Sequence, residues 1–290
     1  MKVGIFSHCT IDTIIYENEQ YEAPGGPASY CSLTARKQKQ DVNLYTKFNS
    51  SYPLEEYFKQ NKISFPDAIS ENNTTKFRLE LDGTDRKLFV EHMCDNIDFI
   101  ENDDDGTLIS PVFDEISLDT YSQIKNSGNF VFLDPQGFLR EKNSKNEITL
   151  KKTTLDLTNV NAIKMNSDEL FALTGLTRND GIKQLQKLGI EYVIYTNKQE
   201  ISLLVKDKLY SIKLPKMTLT DTTGIGDIFC ATFLCTMLKE KDFLWALSFA
   251  GGAAQAALES KAFGLEKIPE KNALETNGSY FYNIVEFEQI

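Results

Sequence analysis

Two glycines and an aspartate stand directly before a long apolar segment of the chain. Gly224 and Gly226 are followed by Asp227 and then by residues 228–238, whose almost entirely apolar composition predicts a buried helix. Glycines at a helix start let a ligand approach the backbone, and the N–H groups there attract anions. Asp227 either takes a proton from an attacking hydroxyl or merely favours the helix dipole, and spacing alone leaves both interpretations open.

A second group of polar residues follows the predicted strand 130–133. Gln136 and Arg140 belong to the run LDPQGFLR at 133–140. A guanidinium and an amide together suit a substrate with neighbouring hydroxyl groups. Parallel sheets bind ligands beyond the carboxyl ends of their strands, where this run would lie. The alternative is a turn at a strand end, with Arg140 as a surface charge.

The elements that must position these residues follow from the apolar pattern. From about residue 105 short apolar runs alternate with helical segments, which predicts an α/β fold with a mostly parallel central sheet and helices on both faces. The predicted strands are 3–6, 41–47, 107–109, 130–133, 162–165 and 192–195, and the predicted helices are 28–39, 117–127, 167–174 and 180–187.

Two other segments predict antiparallel hairpins. Residues 13–22 are polar and rich in Tyr and Ile, and residues 75–91 alternate apolar with charged side chains around Asp82-Gly83. These hairpins predict a small sheet that stands apart from the main body. Because Phe77, Leu79 and Phe89 would need cover, the exposed face of this sheet predicts pairing with a second copy of the chain.

Composition excludes several classes of protein. The 290 residues carry a net charge of −11, which argues against a nucleic-acid partner, and no stretch approaches the roughly 18 apolar residues of a membrane span. Five scattered cysteines predict free thiols in a cytoplasmic protein. Two histidines make a histidine-based triad or zinc site improbable, and no Walker phosphate loop is present.

The segment 221–227, DTTGIGD, resembles the C-terminal signature of the ribokinase or PfkB family of carbohydrate kinases. Gly25-Gly26 resembles the first signature of that family, and Asn166 to Glu169 resembles its NxxE motif. The resemblance covers nearly all of the chain in order and spacing. It implies a single ribokinase-like kinase domain over 1–290, with a small β-sheet lid whose strands fall within about 13–23 and 41–100.

The resemblance also implies roles for individual residues. Asp227 would be the catalytic base, and the N–H groups of Gly224, Ile225 and Gly226 would bind the transferring phosphoryl group. ATP and Mg²⁺ would be the cofactors, with K⁺ added in some members. The implied cofactor contacts are Asn166 and Glu169 for Mg²⁺ and its waters, Thr196 for the nucleotide loop, Gly251 for the adenine, and Asp221 and Thr223 for the monovalent cation.

The acceptor contacts implied by the resemblance depart from the common family pattern. Where the family motif GGxxxN ends in Asn, this chain has Tyr30, and residues 196–201 lack the glycines of the family's TxGxxG loop. The GGPASY variant and the LDPQGFLR run resemble those of archaeal and plant myo-inositol kinases. The implied acceptor contacts are Asp12, Gly25, Gly26, Tyr30, Gln136 and Arg140.

These observations predict ATP-dependent phosphorylation of a small polyol or sugar, with myo-inositol as the first candidate. Other acceptors stay open: ribose, fructose 6-phosphate, a ketohexonate or a nucleoside. A nucleoside would call for aromatic stacking in the lid, and a phosphosugar for several converging basic residues, of which only Arg140 is obvious. The alternative from a different class is a sugar-binding homologue without catalysis, which the intact Asp227 opposes.

Overall fold

The structure is a computed structural model that describes residues 1–290 except 17–18, 83–84, 129, 216–221 and 261, and except the side chains of residues 82, 85 and 86. Within these limits, no helix combines the length and the apolar character needed to cross a lipid bilayer.

The described chain alternates strands with helices, and the elements are numbered in chain order. The strands are β1 (Lys2–Phe6), β2 (Thr10–Tyr16), β3 (Glu19–Gly25), β4 (Asp41–Tyr45), β5 (Phe48–Asn49), β6 (Ile63–Ser64), β7 (Ile69–Ser70), β8 (Thr75–Asp82), β9 (Asp85–His92), β10 (Gly106–Ile109), β11 (Val131–Leu133), β12 (Arg140–Lys142), β13 (Ile148–Leu150), β14 (Ala162–Asn166), β15 (Tyr192–Asn197), β16 (Glu200–Val205), β17 (Lys208–Lys213) and β18 (Glu286–Gln289). The helices are α1 (Gly26–Lys37), α2 (Glu55–Gln60), α3 (Leu118–Ser127), α4 (Ser167–Thr174), α5 (Arg178–Lys187), α6 (Ile225–Glu240), α7 (Phe243–Glu259) and α8 (Lys271–Ile284), with 3₁₀ turns at Gln136–Leu139 and Gly264–Lys267.

A large sheet forms the centre of the molecule, in the order β18-β17-β16-β15-β14-β11-β10-β1-β4-β6. From β6 to β15 each neighbouring pair is parallel, which confirms the predicted α/β fold with a mostly parallel sheet. The last three strands, β16 to β18, run antiparallel at one edge. The apolar pattern does not reveal this edge, because β16 reads like any other apolar run and β18 is exposed at all four residues, with no apolar run of its own.

The two faces of the sheet carry separate apolar cores, as a parallel sheet covered on both sides requires. Alternate residues of one strand enter different cores: Ile5 packs with α1, α6, α7 and α8, whereas its neighbour Phe6 packs on the face that carries α3, α4 and α5. Leu108 and Ile109 divide in the same way. Helices on both faces therefore hold the carboxyl ends of the strands in fixed positions.

A four-stranded sheet, β3-β2-β8-β9, stands apart from the main sheet and is called the lid below. Both predicted hairpins belong to it, but it comes from residues 10–25 and 75–92, a narrower range than 41–100. Strands β4 and β6 join the main sheet instead.

Three apolar side chains of the lid that were predicted to need cover find it within the chain. Phe77 and Leu79 are 4% and 3% exposed, and Phe89 lies under the guanidinium of Arg78, 4.1 Å from the ring centre. These three side chains therefore do not require a second copy of the chain to cover them.

Candidate active site

A cavity of about 210 Å³ lies where the carboxyl ends of the parallel strands face the start of α6. The chain order of the strands reverses at β1, which has β4 on one side and β10 on the other, and open α/β sheets bind ligands at such a point. Phe77 and Leu88 of the lid also line the cavity. The structure brings these sequence-predicted residues to its wall: Asp12, Gly26, Tyr30, Gln136, Arg140, Asn166, Glu169, Thr223, Gly224, Gly226 and Asp227.

The start of α6 has the backbone shape that the glycine pair predicts. Gly224 caps the helix with φ of +78°, a left-handed conformation that favours glycine. A side chain there would also collide with the ring of Tyr30, which is 2% exposed. The N–H of Ile225 turns toward the carbonyl of Thr222, 3.4 Å away, and Ile225 does not line the cavity. Gly224 and Gly226 do line it, so the helix N-terminus faces the cavity through its glycines.

Asp227 lies in the first turn of α6, with part of its surface open to the cavity and protein around the rest. Burial raises the pKa of its carboxyl to about 7, and the nearby Asp134 acts in the same direction. Lys164 and Arg140 act against this rise, because their positive charges favour the carboxylate. A carboxyl with a pKa near neutrality can accept and release a proton at physiological pH, as a general base requires.

A buried ion pair that the sequence reasoning missed lies beside Asp227. The ammonium of Lys164 is 2.9 Å from Oδ2 of Asp134, and the two residues are 8% and 2% exposed. Burial would lower the pKa of Lys164, but the carboxylates of Asp134 and Glu169 outweigh burial and raise it well above its ordinary value. Lys164 therefore remains charged. The sequence feature that could have pointed to this ion pair is a single lysine inside the apolar strand β14, AIKMN.

Lys164 also reaches the anion-binding end of α6. A methyl group placed on Gly226 would lie 3.3 Å from the Lys164 Nζ atom. The ammonium and the N-terminal backbone of α6 are thus neighbours on the cavity wall. Together they provide positive charge from a side chain and from a helix terminus at one place.

The predicted acceptor contacts lie on the side of the cavity next to the lid. Asp12 accepts a hydrogen bond from Thr10 Oγ1 at 2.8 Å, and its carboxylate packs against the backbone of Gly25, which leaves no room for a side chain at that position. Arg140 Nη1 donates to the carbonyl of Val112 at 2.8 Å. Arg140 is half-buried in the cavity wall, so the structure does not support the alternative of a surface charge.

Asn166 and Glu169 line the cavity but also cap α4. The Asn166 side-chain oxygen accepts from the N–H groups of Asp168 and Glu169, both at 2.9 Å, and Glu169 Oε2 accepts from the Asn166 N–H at 2.8 Å. Burial raises the pKa of Glu169, and the charge of Lys164 opposes that rise. Among the residues that the structure describes, no group of three or more His, Cys, Asp or Glu side chains could hold a metal ion alone. Asn166 and Glu169 bring an amide and a carboxyl oxygen to the cavity wall, and such oxygens fit Mg²⁺ that is otherwise held by water and phosphate oxygens.

Two residues predicted to contact the nucleotide are not brought to the cavity. Thr196 is the penultimate residue of β15, where it lies opposite Asn166 of β14, and its hydroxyl donates to the carbonyl of Met165 at 3.4 Å. Gly251 is buried in α7 against Ile212 of β17 and Phe281 of α8. The glycine-free segment after Thr196 is a two-residue turn between β15 and β16, in which Asn197 pairs with Glu200.

The predicted monovalent-cation residues are only partly described. Asp221 lies outside the described residues. The carbonyl of Thr223 accepts a hydrogen bond at 3.0 Å from the ammonium of Lys267, which is 1% exposed. Lys267 belongs to the 3₁₀ turn after α7, and no motif in the sequence singled it out.

Comparison with a model of the pfkB family of carbohydrate kinases gives a match over residues 70–270. A ribokinase from Arabidopsis thaliana is 24% identical over 202 residues, which are 66% of this chain and 50% of that protein. The chain thus spans about half the length of the curated relative that it matches.

Solved structures share the fold over nearly the whole chain. A pyrophosphate-dependent kinase in the ribokinase family, in complex with a pyrophosphate analogue and myo-inositol, has a TM-score of 0.79 at 17% identity, with 95% of this chain and 99% of that chain covered. A ribokinase from Arabidopsis thaliana with ribose and ATP has a TM-score of 0.75 at 16% identity, with 95% and 98% covered. The ribokinase from Thermotoga maritima has a TM-score of 0.77 at 18% identity, with 94% and 98% covered. These likenesses show a ribokinase-like α/β fold with a separate small sheet.

Proposed function

Because this chain belongs to the pfkB family of carbohydrate kinases, we propose that it transfers a phosphoryl group to a hydroxyl of a small polyol. The observation that carries this proposal is Asp227, with its pKa raised to about 7, at the N-terminus of α6 inside the cavity. A proton acceptor and an anion-binding backbone at one place are the parts that phosphoryl transfer needs.

The reaction follows from the groups around Asp227. The acceptor hydroxyl gives its proton to the Asp227 carboxylate as its oxygen bonds to the donor's terminal phosphorus, and the bond from that phosphorus to the leaving phosphate oxygen breaks. Lys164 and the Gly224 to Gly226 backbone stabilise the negative charge on the transferring phosphoryl group. Asp134 holds Lys164 in place through the 2.9 Å ion pair. The lid residues Phe77 and Leu88 exclude water, which would otherwise accept the phosphoryl group.

Myo-inositol is the acceptor that we propose. Asp12 offers a carboxylate, Gln136 an amide and Arg140 a fork of donors in the wall of one cavity, and vicinal hydroxyls can bond to all three types of group. The ring of Tyr30 is buried against Gly224, so it shapes the cavity there. The pyrophosphate-dependent kinase of similar fold was solved in complex with myo-inositol, which supports this choice.

ATP is the donor that we propose first, with Mg²⁺ beside Asn166 and Glu169. When bound, this ion would neutralise phosphate charge, while Asn166 and Glu169 would orient its water ligands. A specific observation favours pyrophosphate as a second candidate: Thr196 and Gly251, the residues predicted to contact the nucleotide, do not line the cavity. We place the reaction in the cytoplasm, because all five thiols are free.

The test is a two-way screen of donor against acceptor. Myo-inositol, ribose, fructose, fructose 6-phosphate, a ketohexonate and a nucleoside would each be incubated with Mg²⁺ and either ATP or pyrophosphate. The phosphorylated product would be detected directly by ³¹P NMR, which serves both donors equally. We expect the largest kcat/KM with myo-inositol, and Asp227→Asn enzyme purified in parallel controls for contaminating kinases.

Two outcomes would contradict the proposal at different levels. A preference for a furanose or a nucleoside would reject the inositol assignment but keep the kinase. Acceptor binding by calorimetry, with no product from any donor, would instead identify a sugar-binding homologue without catalysis.

A further inference from the structure

The buried lysine of the turn after α7 is a feature that the proposed reaction does not use. Lys267 is 1% exposed, and lysine is almost never buried to this degree unless it is paired. Its Nζ donates to the carbonyl of Thr223 at 3.0 Å. Thr223 directly precedes Gly224, the cap of α6. The ammonium therefore holds the backbone just before the anion-binding end of the helix, three residues ahead of Gly226.

The resemblance implies a monovalent cation near Thr223, and the structure allows a test of that expectation. An alkali cation in a protein is held by oxygen atoms, chiefly carbonyls and carboxylates. The Thr223 carbonyl already accepts from an ammonium, which carries the same charge as K⁺. A metal ion on that oxygen would be pressed against Lys267 and repelled by it. The residues present therefore do not fit an added monovalent cation.

We propose that Lys267 is a covalently attached substitute for the monovalent cation, which makes the enzyme independent of K⁺. It acts as a positioning residue: it fixes the Thr223 carbonyl, and through the turn Thr222 to Gly224 it fixes the start of α6 and Asp227. The proposal rests on the proposed kinase reaction where it is tested by kinetics. A second test, by thermal stability, requires no turnover.

The kinetic test compares cations at constant ionic strength. Rates would be measured in tetramethylammonium chloride and with increasing KCl, NH₄Cl or NaCl. Wild-type kcat should change less than about twofold across these salts. Lys267→Ala should lose about ten- to a hundredfold in kcat without small cations, since misplacing the reacting groups by about 1 Å costs this much. Its rate should recover saturably with K⁺ or NH₄⁺, which can enter the space vacated by the side chain.

Two further variants separate charge from packing. Lys267→Met fills the same space without a charge, so it should lose activity and not be rescued by K⁺. Lys125 is the control, because it is also a buried lysine that donates to a carbonyl, that of Thr158 at 3.1 Å, but it lies in α3 and pairs with the exposed, solvated carboxylate of Asp156. Lys125→Ala should show no K⁺ dependence of its rate.

The stability arm uses thermal unfolding in the same salts. Replacing tetramethylammonium by K⁺ should raise the Tm of Lys267→Ala by about 2 °C or more and leave the wild-type and Lys125→Ala values unchanged, because only a vacated cation site binds K⁺ in the folded state. A wild-type enzyme activated more than fivefold by K⁺ would overturn the proposal, even if Lys267→Ala did not fold. So would a Lys267→Ala enzyme that is fully active without small cations. If no acceptor is phosphorylated at all, the proposed function fails, and the Tm comparison still decides the role of Lys267.

Discussion

The two sides of the candidate site differ in how their residues converge. On the acceptor side, the predicted residues Asp12, Gln136, Arg140 and Asp227 line one cavity, and Gly25 packs against Asp12 without lining it. On the donor side, Asn166 and Glu169 line the same cavity, whereas Thr196 and Gly251, the residues predicted to contact the nucleotide, do not. The residues that we propose for activating a hydroxyl therefore share one cavity, whereas the two residues predicted to contact a nucleotide do not belong to it. The same cavity can thus serve a donor recognised mainly through its phosphates.

The largest effect is expected at the point where both sides meet. Asp227→Asn should reduce kcat by about 10² to 10⁴, the usual range for loss of general-base assistance. Donor binding, measured by calorimetry, should stay within threefold, because the amide keeps the shape of the carboxyl group. A variant that retains more than a tenth of wild-type kcat would show that another group takes the proton.

Lys164 is the next test, because it belongs to neither predicted set and yet lies beside Gly226. Lys164→Met should lower kcat about 10²-fold, as removal of one transition-state donor does. It should also destabilise the protein, since it leaves Asp134 buried and unpaired.

A double variant distinguishes chemistry from stability at Lys164. Asp134→Asn with Lys164→Met removes both charges, so it should recover most of the lost Tm and little of the lost kcat. Recovery of both would mean that the pair only supports the fold.

The acceptor side is tested by variants that should leave the donor side untouched. Arg140→Lys and Gln136→Ala should each raise the acceptor KM about five- to a hundredfold, because an unpaired hydroxyl in a closed site costs about 1–3 kcal/mol. The KM for the donor should change less than twofold. Equal changes in both KM values would indicate that these residues shape the whole cavity rather than contact the acceptor.

The pH dependence of the wild-type enzyme should reflect the pKa of Asp227. Burial raises this pKa to about 7, so the base form is lost as pH falls below that value. We expect kcat/KM for the acceptor to drop about tenfold per pH unit below about pH 7 and to level off above it. Lys164 lowers the Asp227 pKa and Asp134 raises it, so Asp134→Asn should move the inflection to lower pH. An inflection that does not move would place the titration on a different group.

The same shift predicts how stability depends on pH. A carboxyl whose pKa is raised on folding contributes most to stability at low pH, and this contribution is lost as pH rises through the folded value near 7. Relative to wild type, Asp227→Asn should therefore gain more Tm at pH 8 than at pH 5. An equal change in Tm at the two pH values would contradict the raised pKa.

Sequence patterns predicted those parts of the molecule that depend on neighbouring residues in the chain, such as strand ends and helix starts. The strand ends that carry Gln136 and Asn166 follow from apolar runs, and the start of α6 follows from Gly224 and Gly226. Lys164 and Lys267 could not be recognised, because a lysine reads as exposed until distant carboxylates and carbonyls are placed around it. The packing of Gly251 could not be foreseen for a related reason: Ile212 and Phe281, which cover it, come from segments about 40 and 30 residues away along the chain.

The smallest effect is expected on the donor side, at Thr196. Its hydroxyl donates to the Met165 carbonyl, and Thr196 does not line the cavity, so Thr196→Ala should change the KM for the donor less than threefold. The matched comparison is Glu169→Gln, which alters a residue that lines the cavity. This variant should raise the Mg²⁺ concentration needed for half-maximal rate more than threefold. Both variants would be assayed with ATP and with pyrophosphate. If Thr196→Ala raises the KM for ATP tenfold and leaves that for pyrophosphate unchanged, a nucleotide contact exists at this position, and the contrast between the two sides of the site is smaller than the structure indicates.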